Sequence, residues 1–227
     1  MPNKTNVELV QKVIQYTFND VDLLKQALTH RSANHKHNER LEFLGDAILG
    51  SVIATALYQK FPKANEGQLS RLRSFLVKEK ALADLANELE FSQFVILGSG
   101  ELKSGGFRRA SILSDVFEAI IGAVILDSNY QKAEEYILTL YKSKLSSITL
   151  NMADKDPKTK LQEWLQARNY AIPNYEVVKE AGKDHAKTYW VNCKLDYQNI
   201  SVEGSGNSRR NAEQDAACQT MKKLKVN

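Results

Sequence analysis

A helix that is apolar on every side has to be buried, and this chain contains two such helices, each opening on acids. One is Ile48-Leu49-Gly50-Ser51-Val52-Ile53-Ala54 and the other Ala119-Ile120-Ile121-Gly122-Ala123-Val124-Ile125-Leu126. Ahead of the first stand Glu39, Glu42 and Asp46, at i, i+3 and i+7. At about 100° per residue these three fall within roughly 60° of one another, while Leu41, Leu44 and Ile48 point to the opposite side. Ahead of the second, Asp115 and Glu118 repeat the i, i+3 spacing. The acids are therefore not the wet side of surface helices. They are carried into the core on two helices that must find each other in a largely helical body.

Like charges brought together in this way repel. Two carboxylates about 4 Å apart at an effective dielectric near 20 cost roughly 4 kcal/mol. A raised carboxyl pKa relieves the repulsion, and so does a bound cation. Neither helix carries a Lys or Arg on the acid face itself. Hard carboxylate oxygens without a nearby Cys or paired His suit Mg²⁺ or Mn²⁺ better than zinc. The polar loop just before Glu39 does hold His30, His35 and His37, but loop histidines are usually solvated, so they are not read as ligands. Phe43 lies about 40° from Glu39, on the acid side of the helix. It needs cover either from its own core or from a second copy of the chain.

The length of 227 residues allows one large or two modest domains, and 43% hydrophobic content fits a globular class. No uninterrupted apolar run reaches the ~18 residues of a membrane span, and Met1-Pro2-Asn3-Lys4-Thr5-Asn6 lacks the core of a signal peptide. A cytoplasmic protein with no membrane partner is expected. Cys193 and Cys218 lack zinc spacing and suit a reducing compartment. The net charge of +4 is too mild to argue for nucleic acid, so the placement of the charges has to carry that point.

Periodicity predicts helices over 7–14, 20–28, from 39 through the first apolar run, 77–89, 111–126 and 133–143. Asn65 and Gln68 form a capping-box pair, which gives Glu66 a dipole-complementing place in a first turn. The Gly-rich stretch 98–109, with Arg108 and Arg109, reads as an anion cradle or as a flexible connection. Residues 1–148 thus form an all-helical domain and 149–156 a linker. In 157–227 the period turns to alternation and back: a helix over 158–169, strands over 175–180, 187–196 and 198–203, and a helix over 208–224. The fold class is multidomain, α then α+β, the second domain having the order α-β-β-β-α. Arg209 and Arg210 open its last helix, where a positive dipole end and charged donors suit phosphates.

The stretch Glu39-Arg40-Leu41-Glu42-Phe43-Leu44-Gly45-Asp46-Ala47 resembles the signature of the ribonuclease III family at every place but the last, where Ala47 stands for the usual Ser. Further matches run in the family's order: Ala27-Leu28-Thr29-His30-Arg31-Ser32, Glu66-Gly67-Gln68-Leu69-Ser70, and Ser104-Gly105-Gly106-Phe107-Arg108-Arg109 leading to Ser111-Ile112-Leu113-Ser114-Asp115. The second domain resembles a double-stranded RNA-binding domain, which reads shape because side chains cannot enter the major groove of A-form RNA.

The resemblance implies an all-helical endonuclease domain that cleaves double-stranded RNA as a metal-dependent homodimer. It implies 5′-phosphate ends with short 3′ overhangs, and a role in processing structured precursors such as rRNA and mRNA. Glu42, Asp46, Asp115 and Glu118 would hold Mg²⁺, with Mn²⁺ able to substitute, and Asp46 and Glu118 would be catalytic. Glu39 and Glu66 would support them, and Phe43 would lie at the dimer interface. Gln162, Glu163, Lys183, His185, Arg209 and Arg210 would contact RNA. Ala110, Ser114 and Glu213 depart from the commonest family residues, Glu213 replacing a basic one. The rival reading, a non-catalytic clamp for structured RNA, leaves the acids unexplained, because a binder of polyanions gains nothing from concentrated negative charge. A phosphohydrolase acting on small nucleotides leaves the second domain unexplained.

Overall fold

A computed structural model describes residues 7–153, 156–182 and 187–225. The chain divides into two compact units, 1–153 and 154–227. The first is helical: α1 (Val7–Ile14), α2 (Val21–Leu28), α3 (Glu39–Lys60), α4 (Glu66–Val77), α5 (Glu79–Glu88), α6 (Ser99–Lys103), α7 (Ala110–Asp127) and α8 (Tyr130–Ser147). Its core gathers around α3 and α7, with Leu49, Val52, Ile53 and Leu57 from one and Leu113, Phe117, Ile120 and Val124 from the other fully enclosed. By length and mean hydropathy (1.4) α3 would pass for a membrane span. Its acids and its packing against α7 account for it instead as a core helix.

α3 and α7 meet at glycine. A Cβ added to Gly45 would stand 1.8 Å from the carbonyl oxygen of Glu118, and one added to Gly122 would stand 2.1 Å from that of Leu41. The two backbones touch, and only hydrogen fits between them. The crossing is reciprocal: Gly45 lies within a turn of Glu42 and Asp46 on α3, and Gly122 about one turn after Glu118 on α7.

Several boundaries differ from the sequence reading. The helix expected over 77–89 is α5, which starts at Glu79, because Val77 ends α4 and the chain turns through an extended Lys78 (ψ 152°). The Gly-rich stretch 98–109 is not an open connection: it contains α6 and a 3₁₀ turn at Gly106–Arg108, joined by Gly105 in the left-handed region (φ 77°). The expected linker 149–156 overlaps the first unit. Leu150–Ala153 form a 3₁₀ turn on α4, Ala153 is fully buried, and the Arg71 Nε donates to its carbonyl at 2.5 Å. The period had faded there, but the backbone is tied down by a side chain distant in sequence.

The second unit consists of α9 (Pro157–Gln166), β1 (Asn174–Ala181), β2 (Thr188–Leu195), β3 (Ile200–Gly206) and α10 (Arg209–Lys223). The strands form one antiparallel sheet in the order β1-β2-β3. Leu161, Leu165, Cys193, Leu195, Ala216 and Ala217 fill its core between helices and sheet. β3 begins two residues later than the alternation suggested, because Tyr197–Asn199 make a tight 3₁₀ turn with Gln198 and Asn199 at positive φ. Both helices are capped as their sequences dictate: Asp156 accepts from the Thr159 N–H, and Ser208 from that of Asn211. Cys193 and Cys218 are free thiols.

Candidate active site and nucleic-acid interface

The crossing of α3 and α7 determines where the acids go. Glu42 lies one turn before Gly45 on α3, with Asp46 next to it, and Glu118 supplies the carbonyl that Gly45 touches. Glu42, Asp115 and Glu118 are half-buried, while Glu39 and Asp46 are exposed. The grouping shows in the proton affinities. Burial, then the charges of Asp46, Glu42 and Asp115, push Glu118 up to about 8. Burial, then Asp115, Glu39 and Asp46, raises Glu42. Asp115 is raised by burial, against the opposing influence of the Ser114 hydroxyl and of His30. Five carboxylates from two helices therefore act on one another as a single electrostatic cluster.

Neighbouring groups fix the acids individually. The buried Ser114 hydroxyl has one proton and two acceptors in reach, the Ser111 carbonyl at 2.8 Å and Asp115 Oδ1 at 3.4 Å, so this departure from the usual family residue places a hydroxyl beside a carboxylate. Glu39 pairs with Arg31 at 3.2 Å, a cation the α3 sequence did not offer because it comes from the preceding loop. Glu66 is not among the charges that shift Glu42, Asp115 or Glu118. It accepts from the Ser70 hydroxyl at 2.6 Å, and Ser70 lines, with Asp46, an open polar trough of about 650 Å³ between α3 and α4. Arg109 of the expected anion cradle is engaged internally, by Glu101 at 2.6 Å and Ser104 at 3.1 Å.

Among the described residues, no three Asp, Glu, His or Cys side chains converge as a ready-made metal cage. Burial and mutual repulsion raise the proton affinity of Glu42, Asp115 and Glu118, which is the direction of the first of the two remedies. The donor set fits the second remedy as well: it is all carboxylate and drawn from two helices, the chemistry of a hard divalent ion. A stability consequence follows. Glu118 binds its proton more tightly folded (about 8) than at its ordinary value of 4.5. Its favourable contribution is fully present below about pH 4.5 and is lost as the pH rises toward 8, by at most about 1.4 kcal/mol per pH unit before solvent screening. In chelator the melting temperature should fall from pH 5 to pH 8, and Mg²⁺ should restore it most at the alkaline end. A flat profile would mean that neither burial nor the neighbouring acids raise Glu118 in the folded protein.

Phe43 is 78% exposed, which removes the alternative of cover by its own core. In the second unit Gln162, Glu163, Arg209 and Arg210 are exposed, while Lys183 and His185 lie outside the described residues. The N-termini of α9 and α10 are joined: the Gln214 side chain accepts from the Lys158 N–H at 3.1 Å and donates to Asp156 at 2.8 Å. Lys158 is one turn before Gln162, so the polar face of α9 is set beside the start of α10.

With that geometry in place, residues 20–145 match the family model described as Ribonuclease-III-like. The chain belongs to the ribonuclease III family. Its second unit matches the double-stranded RNA binding motif over residues 157–224. The nuclease domain of ribonuclease III from Campylobacter jejuni is 42% identical, covering 66% of this chain and 100% of that one with a TM-score of 0.60. A second structure of that domain, described for flexibility in a region involved in dimer formation, is 44% identical, covering 61% and 97% with a TM-score of 0.59. As a member of the family, this chain is an endoribonuclease, a hydrolase, with a helical nuclease domain followed by an α-β-β-β-α double-stranded RNA-binding domain.

In this chain the positions that sequence reasoning did not single out are the ones that place the acids. Gly45 sits inside the signature, yet nothing in the sequence said that its missing Cβ faces α7. Gly122 was legible only as a gap in an apolar run.

Proposed function

We propose that this member of the family hydrolyses phosphodiester bonds of double-stranded RNA with a divalent cation, Mg²⁺ or Mn²⁺, held by Glu42, Asp46, Asp115 and Glu118. The supporting observation is the glycine crossing, which brings half-buried acids from two helices into one interacting group. The chemistry a divalent ion supplies when bound is acidification of water and neutralisation of charge on the departing 3′ oxygen. The protein's own residues prepare for it. Ser114 sets a hydroxyl 3.4 Å from Asp115, and Glu118 and Glu42 are partly desolvated, so their charge is worth more there than in water. Glu39 stands at the rim, held by Arg31, and Glu66 borders the Asp46 trough through Ser70.

Substrate selection falls to the second unit, where Gln162, Glu163, Lys183, His185, Arg209 and Arg210 meet the grooves and phosphates of A-form RNA. The products are 5′-phosphate ends with short 3′ overhangs, the substrates structured precursors such as rRNA and mRNA, and the location the cytoplasm. Long duplex RNA incubated with Mg²⁺ should be cut to such ends, and chelator should stop scission without releasing the RNA. Retention of duplex with no scission in Mg²⁺ would favour the non-catalytic clamp.

Cleavage of both strands calls for two subunits. Phe43, exposed on the acid side of α3, is the side chain that a second copy covers, with Ala47, Ala54 and Tyr58 following on α3 at helical spacing. Phe43→Glu should shift sedimentation from dimer toward monomer and depress cleavage. An unchanged dimer would move the interface elsewhere.

A further inference from the structure

The acid at position 213 looks misplaced in a surface meant for a polyanion, since it sits one turn into α10 beside Arg209. Its surroundings explain it. The Glu213 side chain is only 16% exposed, and its two oxygens have different partners: Oε2 accepts from Lys158 Nζ at 2.6 Å, and Oε1 accepts from Arg209 Nε at 3.3 Å. Lys158 is the inner cation, its Nζ 4.3 Å from the centre of the Tyr175 ring, whereas the Arg209 side chain is 66% exposed.

From this arrangement we propose that Glu213 is a positioning residue for RNA binding, a carboxylate neutralised from within by Lys158 that holds the Arg209 guanidinium by its Nε edge and so aims the remaining nitrogens outward at a phosphate. Arginine presents its donors in a rigid planar fork, so fixing one edge fixes the direction of the others. An arginine with a free stem has to give up rotamer freedom when it binds phosphate, and one already held gives up less. The net charge of the trio remains +1. Glu213 therefore reduces the local charge available to RNA in exchange for orientation. The inference rests on Arg209 being a phosphate contact, as proposed above.

The sign of one substitution separates this from simple electrostatics. Removing an acid beside a polyanion site should strengthen binding if only charge matters, whereas removing a positioning acid should weaken it. Duplex RNA binding by the full chain, measured without divalent metal across a salt series, should be weaker for Glu213→Gln. Its log–log salt slope should be shallower by up to about 0.9, the value of one phosphate contact. Glu213→Asp keeps the charge but shortens the reach, and it should weaken binding in the same direction, which covers the case in which Glu213→Gln perturbs folding. In an Arg209→Ala background neither change should have a further effect. Tighter binding by Glu213→Gln, or effects that add fully to Arg209→Ala, would overturn the proposal. Unchanged binding by Arg209→Ala alone would instead remove the phosphate contact on which it rests, and the positioning role with it.

Discussion

Glu118→Gln should leave duplex RNA binding intact and lower cleavage in Mg²⁺ by roughly three orders of magnitude or more, the consequence of losing several kcal/mol of transition-state stabilisation. Glutamine keeps the shape and one acceptor oxygen, so the half-buried position on α7 should hold without repacking. The charge is lost, and it is the charge that a divalent ion requires. The same change removes the most strongly raised carboxyl of the cluster. In chelator at pH 8 the variant should therefore be more stable than the unsubstituted protein, although it is inactive. Opposite movements of stability and activity distinguish a functional acid from a structural one. Near-normal cutting by Glu118→Gln in Mg²⁺ would reject the role proposed for Glu118.

Gly122→Ala tests the crossing itself. The added methyl would lie 2.1 Å from the Leu41 carbonyl oxygen and 3.2 Å from the Gly45 nitrogen, and both neighbours are backbone that no rotamer change can clear. The helices have to separate, at a cost of about 3 kcal/mol or more, which for a domain of this size is a fall of roughly 10 °C in melting temperature. Gly45→Ala, at 1.8 Å from the Glu118 carbonyl, should be at least as damaging. Any fraction that folds carries Glu118 displaced from the α3 acids and should cut poorly. Gly50→Ala on the same helix is the control. Nothing lies within 4 Å of its added methyl, and a helix-interior alanine should be neutral or stabilising by about 0.5–1 kcal/mol. Equal melting temperatures for the three variants would mean that the backbones do not touch.

The comparison of Glu213 with Glu118 shows what pattern reading reaches and what it does not. Glu118 announced itself, because an acid leading an apolar run at the same spacing as another such acid is a local signal. Glu213 shows in the sequence only as an acid where the family carries a basic residue. Its meaning depends on Lys158, fifty-five residues earlier, and on the Tyr175 ring beneath that lysine. Similar distance hid Arg71 from its partner Ala153, so a segment with no period of its own passed for a linker. Arg31, only eight residues before Glu39, was hidden for another reason: it lies off the helix that displays the acid.

Periodicity, capping residues and the alternation in the second half were enough to determine two domains, the order of their elements apart from α6, and the acids that share a helix face. These are properties of residues within a turn or two of one another, governed by steric and hydrogen-bonding rules that act locally. Tertiary structure alone decided that α3 and α7 cross with backbone against backbone, that burial and mutual repulsion then raise the proton affinity of Glu42, Asp115 and Glu118, that Phe43 is left uncovered, and that Lys158 meets Glu213. Those outcomes depend on through-space contacts a few ångströms long between residues tens of positions apart, and no local pattern encodes them.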